Sequence, residues 1–154
     1  FDKKILFDCG ISPGAKTDES HYPVLDPILG PDGQGPPKLD LVLVSHYHLD
    51  HVGALPWLTE VLGYDGPLVM THPTRAIAPL IVQDHLKHVG RRGRIQPRFV
   101  AEDVDACFER ATCLQLRQRM VVAGVAVTPY YAGHVLGGAM LLVEYRNRRV
   151  LYTG

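Results

Sequence analysis

The stretch SHYHLDH, residues 45–51, places His46, His48, Asp50 and His51 within six positions at the exit of the apolar run LVLV. Imidazole nitrogen and carboxylate oxygen are the donors that zinc and similar ions take. Side chains two apart on an extended chain leaving a strand point the same way, so His46 and His48 can reach one ion. Asp50 and His51 are adjacent, and at a turn entering a helix they can face a second ion beside the first. Two ions about 3.5–4 Å apart would clamp a phosphoryl centre on its attacking and leaving sides. The competing reading, a polar loop with surface histidines, fits poorly with so many donors directly after a buried run.

Two further positions join this cluster. His134 lies in YYAGHVLGGAM, residues 130–140, flanked by Gly133, Gly137 and Gly138. Glycines permit the sharp turns and close backbone approach of a ligand loop, so His134 is a candidate third imidazole for the first ion. Asp8 closes the strand-like KKILFDCG and is a candidate for bracing the ligand loop from behind through hydrogen bonds. A plain turn aspartate is the alternative there.

Elements must hold these groups. KKILFDCG reads as a strand ending at Asp8 to Gly10, and LDLVLVS, 39–45, as a strand buried on both faces. Residues 11–38 are rich in Pro, Gly and Asp and read as a long surface loop. A helix is expected from near Val52 to Leu55, because Pro56 is tolerated only in a first turn, with Gly63 as its stop. GPLVMT, 66–71, reads as a strand. A second helix follows over 72–90, with Thr74 as N-cap, Gly90 as its end, and Pro79 kinking it or marking its true first turn. EDVDACFERA, 102–111, reads as a third helix with Glu102 and Asp103 suiting its N-terminus. RMVVAG, VAVTPYYAG, AMLLVEY and RRVLYTG read as strands, the last two joined by a tight turn at Arg146 and Asn147. The order predicts a layered α/β domain with helices on a sheet.

Bulk properties narrow the class. The 154 residues carry 16 basic and 16 acidic side chains, so no net charge draws the chain to nucleic acid or an anionic membrane, and any nucleic-acid contact must rest on local patches. No apolar run is long enough to span a bilayer, and FDKKILFDCG lacks the pattern of a secretory leader. Cys9, Cys107 and Cys113 have neither disulfide-framework nor zinc-knuckle spacing, and read as reduced thiols of an intracellular protein, at least two of them packed as small hydrophobes. Other histidines carry less. His72 reads as a helix-start residue, His85 and His88 as a solvated helix face, and His21 as a loop residue without a role. Arg91, Arg92, Arg94 and Arg98 form a basic loop, with RNA phosphates or plain solvent as its partners. Arg146, Arg148 and Arg149 read as a solvated hairpin end. Of Tyr130 and Tyr131, one is expected in the core and the other toward the site.

These motifs resemble the metallo-β-lactamase superfamily. SHYHLDH matches its HxHxDH motif, Asp8 its first motif and His134 its third. HLDHVGALPWL, MTHPT, YYAGHVLGGAM and LYTG resemble the β-CASP branch that processes nucleic acid. Within it they are most similar to the RNA 3′-end-processing endonucleases of the cleavage and polyadenylation specificity factor and Integrator type. The resemblance implies the N-terminal half of an αββα sandwich. It also implies that residues 1–154 are a partial domain, without the β-CASP insert, the C-terminal half, a bridging aspartate after LYTG and a downstream histidine. It implies zinc, two ions in the intact parent, with His46, His48 and His134 on one and Asp50 and His51 on the other, the last two also catalytic. The implied activity is endonucleolytic hydrolysis of RNA in pre-mRNA or snRNA 3′-end processing, in the nucleus. The implied partners are a paralogous pseudo-nuclease subunit and scaffold proteins, with no membrane. By itself the 154-residue chain is expected to hold one zinc well and cleave negligibly. Two alternatives stand beside it: a small-molecule metallo-hydrolase of glyoxalase II type, and a non-catalytic pseudo-nuclease scaffold.

Overall fold

A computed structural model describes residues 2–30, 35–92 and 95–154. Strands β1 (Ile5–Phe7), β2 (Leu41–Leu43), β3 (Leu68–Thr71) and β4 (Thr112–Leu114) form a parallel sheet in that order. Strands β5 (Met120–Val122), β6 (Val125–Tyr131), β7 (Ala139–Tyr145) and β8 (Arg148–Tyr152) form a second, antiparallel sheet, also in sequence order. The helices are α1 (Asp18–His21), α2 (Leu49–Val52), α3 (His72–Arg92) and α4 (Ala101–Glu109). The chain is thus an α/β sandwich of two sheets, where the residue pattern by itself suggested helices on one.

Alternation along the central strand explains the layering. Leu41 and Leu43 of β2 point into a core shared with Val69, Val127 and Leu141, which lies between the two sheets. Val42 and Val44 point the other way, into a core shared with Val82 of α3, Val104 of α4 and Leu58. All four are fully buried, as the near-continuous apolar run requires. Each Leu buried this way stabilises the fold by about 1.5–3 kcal/mol, so the strand that leads into the histidine loop is among the firmest parts of the molecule.

Several elements depart from expectation. The first helical turn is Leu49–Val52, so it contains Asp50 and His51 and does not wait for Pro56. A separate wide turn, Trp57–Val61, follows with Pro56 at its N-cap, and the segment ends before Gly63. Helix α3 runs through Gly90 to Arg92, with Pro79 inside it and not in its first turn. Thr71, not Thr74, caps it: the Thr74 amide donates to Thr71 Oγ1 at 3.4 Å, while Thr74 itself is buried in the helix. Thr74, Ala78 and Val82 form its fully buried stripe. Helix α4 begins one residue early, and the Asp103 carboxylate accepts from the Val100 amide at 2.8 Å. Strand β4 was not anticipated, since TCL is short and has little alternation.

The surface brings further corrections. Tyr130 and Tyr131 are both exposed, so neither packs in the core. Arg98 turns back onto the protein, its guanidinium 4.6 Å from the Tyr22 ring and 4.4 Å from the Trp57 ring. The side chains of Arg91 and Arg92, and the whole of Arg94, lie outside the described residues. Arg146 and Asn147 form the expected two-residue turn between β7 and β8, with Arg146 in the left-handed region. Arg146 pairs with Asp2 at 2.9 Å and Arg149 with Glu144 at 3.1 Å. His72 is the first residue of α3, as expected. Cys9 and Cys107 are buried and Cys113 half-buried, all as free thiols. Among the described residues, no helix is long and apolar enough to cross a membrane.

Candidate metal centre

The histidine loop starts where β2 leaves the parallel sheet. Val44 still bonds in register, its amide donating to Val69 O at 2.9 Å. The chain then stays extended to His48, which is the N-cap residue of α2 at φ −67°, ψ 150°. His46 and His48 therefore project from the extended segment, and Asp50 and His51 from the first turn. His134 arrives from the other sheet, in the loop between β6 and β7.

Three imidazoles converge. His46 Nε2 lies 3.2 Å from His48 Nδ1, and His134 Nε2 lies 3.2 Å from the same atom. The ligand atoms of all three lie within 4.8 Å of one another. Two nitrogens at ~2.0–2.1 Å from one tetrahedral ion would be separated by roughly 3.3 Å. The two edges that meet at His48 therefore have the length a single ion asks for. His46 is buried, His48 half-buried and His134 exposed, so the cluster opens to solvent on one side. A cavity of about 480 Å³ lies there, with Asp50, His51 and the end of β8 on its wall.

Hydrogen bonds behind the triangle fix which nitrogens carry lone pairs. Asp8 Oδ1 accepts from the Ser45 amide at 2.7 Å, and Oδ2 accepts from Ser45 Oγ at 2.7 Å. Since the Ser45 proton goes to Asp8, the 2.9 Å contact between Ser45 Oγ and His46 Nδ1 must be donated by the imidazole. That leaves His46 Nε2 bare and facing the triangle. His51 Nδ1 donates to Asp8 Oδ2 at 2.7 Å, leaving His51 Nε2 bare at 3.6 Å from Asp50 Oδ2. Tyr152 of β8 donates to the same carboxylate oxygen at 2.7 Å. Burial first, then the Asp8 contact, push the Tyr152 hydroxyl above its ordinary pKa, so it stays a donor. Burial, with His51 and His48 beside it, pushes His46 down to about 4 and keeps its ring neutral.

Asp8 adopts φ 58°, a left-handed conformation that aspartate tolerates better than most residues. Two residues on, a Cβ at Gly10 would fall 1.8 Å from the Asp50 carbonyl oxygen. Glycine is required there because the Asp8 strand end and the α2 turn touch backbone to backbone. Gly137 holds the His134 loop in the same manner. Its φ is +78°, a Cβ there would meet Pro73 at 2.6 Å, and its carbonyl accepts from the Thr71 hydroxyl at 2.6 Å.

The structure thus brings His46, His48 and His134 to one point, with Asp50 and His51 as a separate pair alongside and Asp8 behind both. Sequence reasoning set Ser45 aside and gave Tyr152 no role. Ser45 adjoins HxH but is a residue type too common to signal anything, and Tyr152 acts only through a contact made by folding. His21, read as a loop residue without a role, is instead buried, with its Nε2 3.4 Å from His85 Nε2.

A metallo-beta-lactamase superfamily domain model matches residues 2–154. The chain is 40% identical over 154 residues to Integrator complex subunit 11 of Danio rerio, covering 99% of this chain and 25% of that protein. It is 36% identical over 154 residues to cleavage and polyadenylation specificity factor subunit 3-II of Arabidopsis thaliana, again covering 99% of this chain and 25% of that protein. The chain therefore spans about a quarter of the length of these curated relatives. Among solved structures, a protein of unknown function from Enterococcus faecalis V583 superposes with TM-score 0.60 at 21% identity, over 97% of this chain and 37% of that one. MEM-A1, a subclass B3 metallo-beta-lactamase from a soil metagenome library, superposes with TM-score 0.57 at 19% identity, over 98% of this chain and 52% of that one. The solved structures share the fold, and the family match spans nearly every residue: the chain belongs to the metallo-β-lactamase superfamily, in its β-CASP branch, related to the subunit 3 and Integrator subunit 11 homologues.

Proposed function

We propose that this chain carries part of a dinuclear zinc centre that hydrolyses phosphodiester bonds in RNA. The three-histidine triangle, with its two 3.2 Å edges at His48, is the observation that supports this most. In this reading His46, His48 and His134 hold the first zinc, and Asp50 with His51 Nε2 contribute to the second. Zinc bound there supplies Lewis acidity and lowers the pKa of water at the site. Asp8 and Ser45 fix the His46 and His51 tautomers, so the bare Nε2 atoms of these two rings face the ions. The solvent-open side over His134 admits a polymer backbone, and cleavage leaves 3′-hydroxyl and 5′-phosphate ends.

Thr153 and Gly154 line the same cavity, and a Cβ at Gly154 would fall 3.3 Å from the Ser45 side chain. That is where the family resemblance puts a bridging aspartate. We take residues 1–154 as the N-terminal portion of the metal-binding domain. The names of the relatives place those proteins in Integrator and in a cleavage and polyadenylation specificity factor. On that basis the parent acts in the nucleus within a multiprotein 3′-end-processing assembly, beside a paralogous pseudo-nuclease subunit.

Replacing His48 with Ala tests the assignment, because its Nδ1 is shared by both short edges of the triangle. The 154-residue chain should bind a zinc tightly at this centre and lose that zinc in His48→Ala, read by metal analysis after dialysis. The full-length protein should lose RNA cleavage with the same change. Undiminished zinc content or normal RNA turnover in the variant would refute the reading, as would preferential hydrolysis of a thioester over RNA.

A further inference from the structure

Some 64 residues separate His21 from His85 in sequence, yet their Nε2 atoms are 3.4 Å apart. We propose that His21, His85 and His88 form a second transition-metal site, for a borderline divalent ion of the zinc class, separate from the HxHxDH centre.

The geometry of the pair is that of ligands more than of hydrogen-bond partners. The ring centroids are 5.3 Å apart and the planes within 13° of parallel. The rings stack with an offset that brings the two Nε2 atoms closer than the centroids. A hydrogen bond between them at 3.4 Å is longer than the ~2.7–3.2 Å usual for an N–H donor. Two imidazole nitrogens on one tetrahedral ion stand roughly 3.3 Å apart, which this separation matches.

The backbone sets the tautomers. His21 Nδ1 is 3.0 Å from the Ser12 carbonyl oxygen, which can only accept, so Nδ1 carries the proton and Nε2 the lone pair. A ring N–H given to a backbone carbonyl is the usual support of a metal-bound histidine. His88 Nδ1 is 2.8 Å from the Asp84 carbonyl oxygen, a bond it would give up to reach the pair. His88 lies three residues after His85 on α3, on the same side of the helix. It is exposed, so its side chain can rotate toward the pair, and all three histidines line one cavity of about 640 Å³. Burial lowers the pKa of His21 and of His85, and the His21 ring lowers that of His85 further, which favours the neutral rings a metal needs. Of the charged groups nearby, Asp18 and Asp84 favour a cation, and Lys16 on the cavity wall and Arg98 oppose one.

An ion here would clip the segment carrying Ser12 and α1 to helix α3. The test is a titration of the full 154-residue chain with Zn²⁺, following imidazole ¹⁵N resonances residue by residue. The His21 and His85 Nε2 resonances should shift, and His85→Gln should abolish the His21 response while His46, His48 and His134 still respond. His88→Gln, at an exposed position that does not bear on folding, should weaken the His21 response. Stationary His21 and His85 resonances while the HxHxDH histidines respond would overturn the proposal. So would a His21 response unchanged in both variants.

Discussion

Asp8 grips Ser45 with both carboxylate oxygens, one on its amide and one on its hydroxyl, each at 2.7 Å. Through Ser45 it orients His46, and directly it orients His51. Replacing Asp8 with Asn keeps the side-chain shape and suits the left-handed backbone, but turns one acceptor into a donor facing other donors. Metal affinity should fall roughly 10–100-fold, and the chain should lose about 1–3 kcal/mol from unpaired buried groups. Chelator competition and urea unfolding read the two effects separately.

Gly10 meets the Asp50 backbone with no room for a Cβ. Gly10→Ala should push the β1 end away from the α2 turn and cost about 3 kcal/mol or more, since a rigid backbone, not a flexible side chain, must give way. The same variant should bind zinc more weakly than wild type at temperatures where it is still folded. Gly14→Ala is the control, because a Cβ there meets nothing within 4 Å.

Burial pushes the Cys9 and Cys107 thiols up to about 12. The thiolate is the reactive form, so at pH 8–9 both should resist a thiol-specific reagent until the chain unfolds. Cys113, half-buried on β4, should label first under native conditions. Raising the pH toward 12 should bring the other two into reaction. Mass mapping of the modified peptides gives the order.

Arg98 stacks on Tyr22 and Trp57, and Trp57 is the single tryptophan of the chain. Arg98→Ala should cost about 0.5–2 kcal/mol and change the Trp57 emission without changing zinc content. An Arg98→Lys chain should recover only part of the loss, because lysine lacks the planar group that stacks on a ring.

How far such contacts could be foreseen depends on what carries them. The crowding of His46, His48, Asp50 and His51 is legible because few residue types bind metal and the spacing is short. The burial of Leu41 to Val44 on both faces is legible from an unbroken apolar run. Ser45 and Tyr152 are not, because serine and tyrosine are common and both depend here on Asp8, 37 and 144 residues away. The His21–His85 contact is hidden for the same reason. The start of α2 was misjudged because Pro56 was taken to mark a helix start. The chain instead opens its first turn at Leu49 and a second one after Pro56. Strand β4 escaped because three residues at a sheet edge carry no readable period.

His134 reaches its neighbours from the antiparallel sheet, while His46 and His48 leave the parallel one. The triangle is therefore complete only after the two sheets have docked over Leu43, Val127 and Leu141. An ion held by all three would be a rivet through both layers. The complete three-histidine set therefore exists only in the closed sandwich, and parting the layers would leave His46 and His48 as a pair without His134.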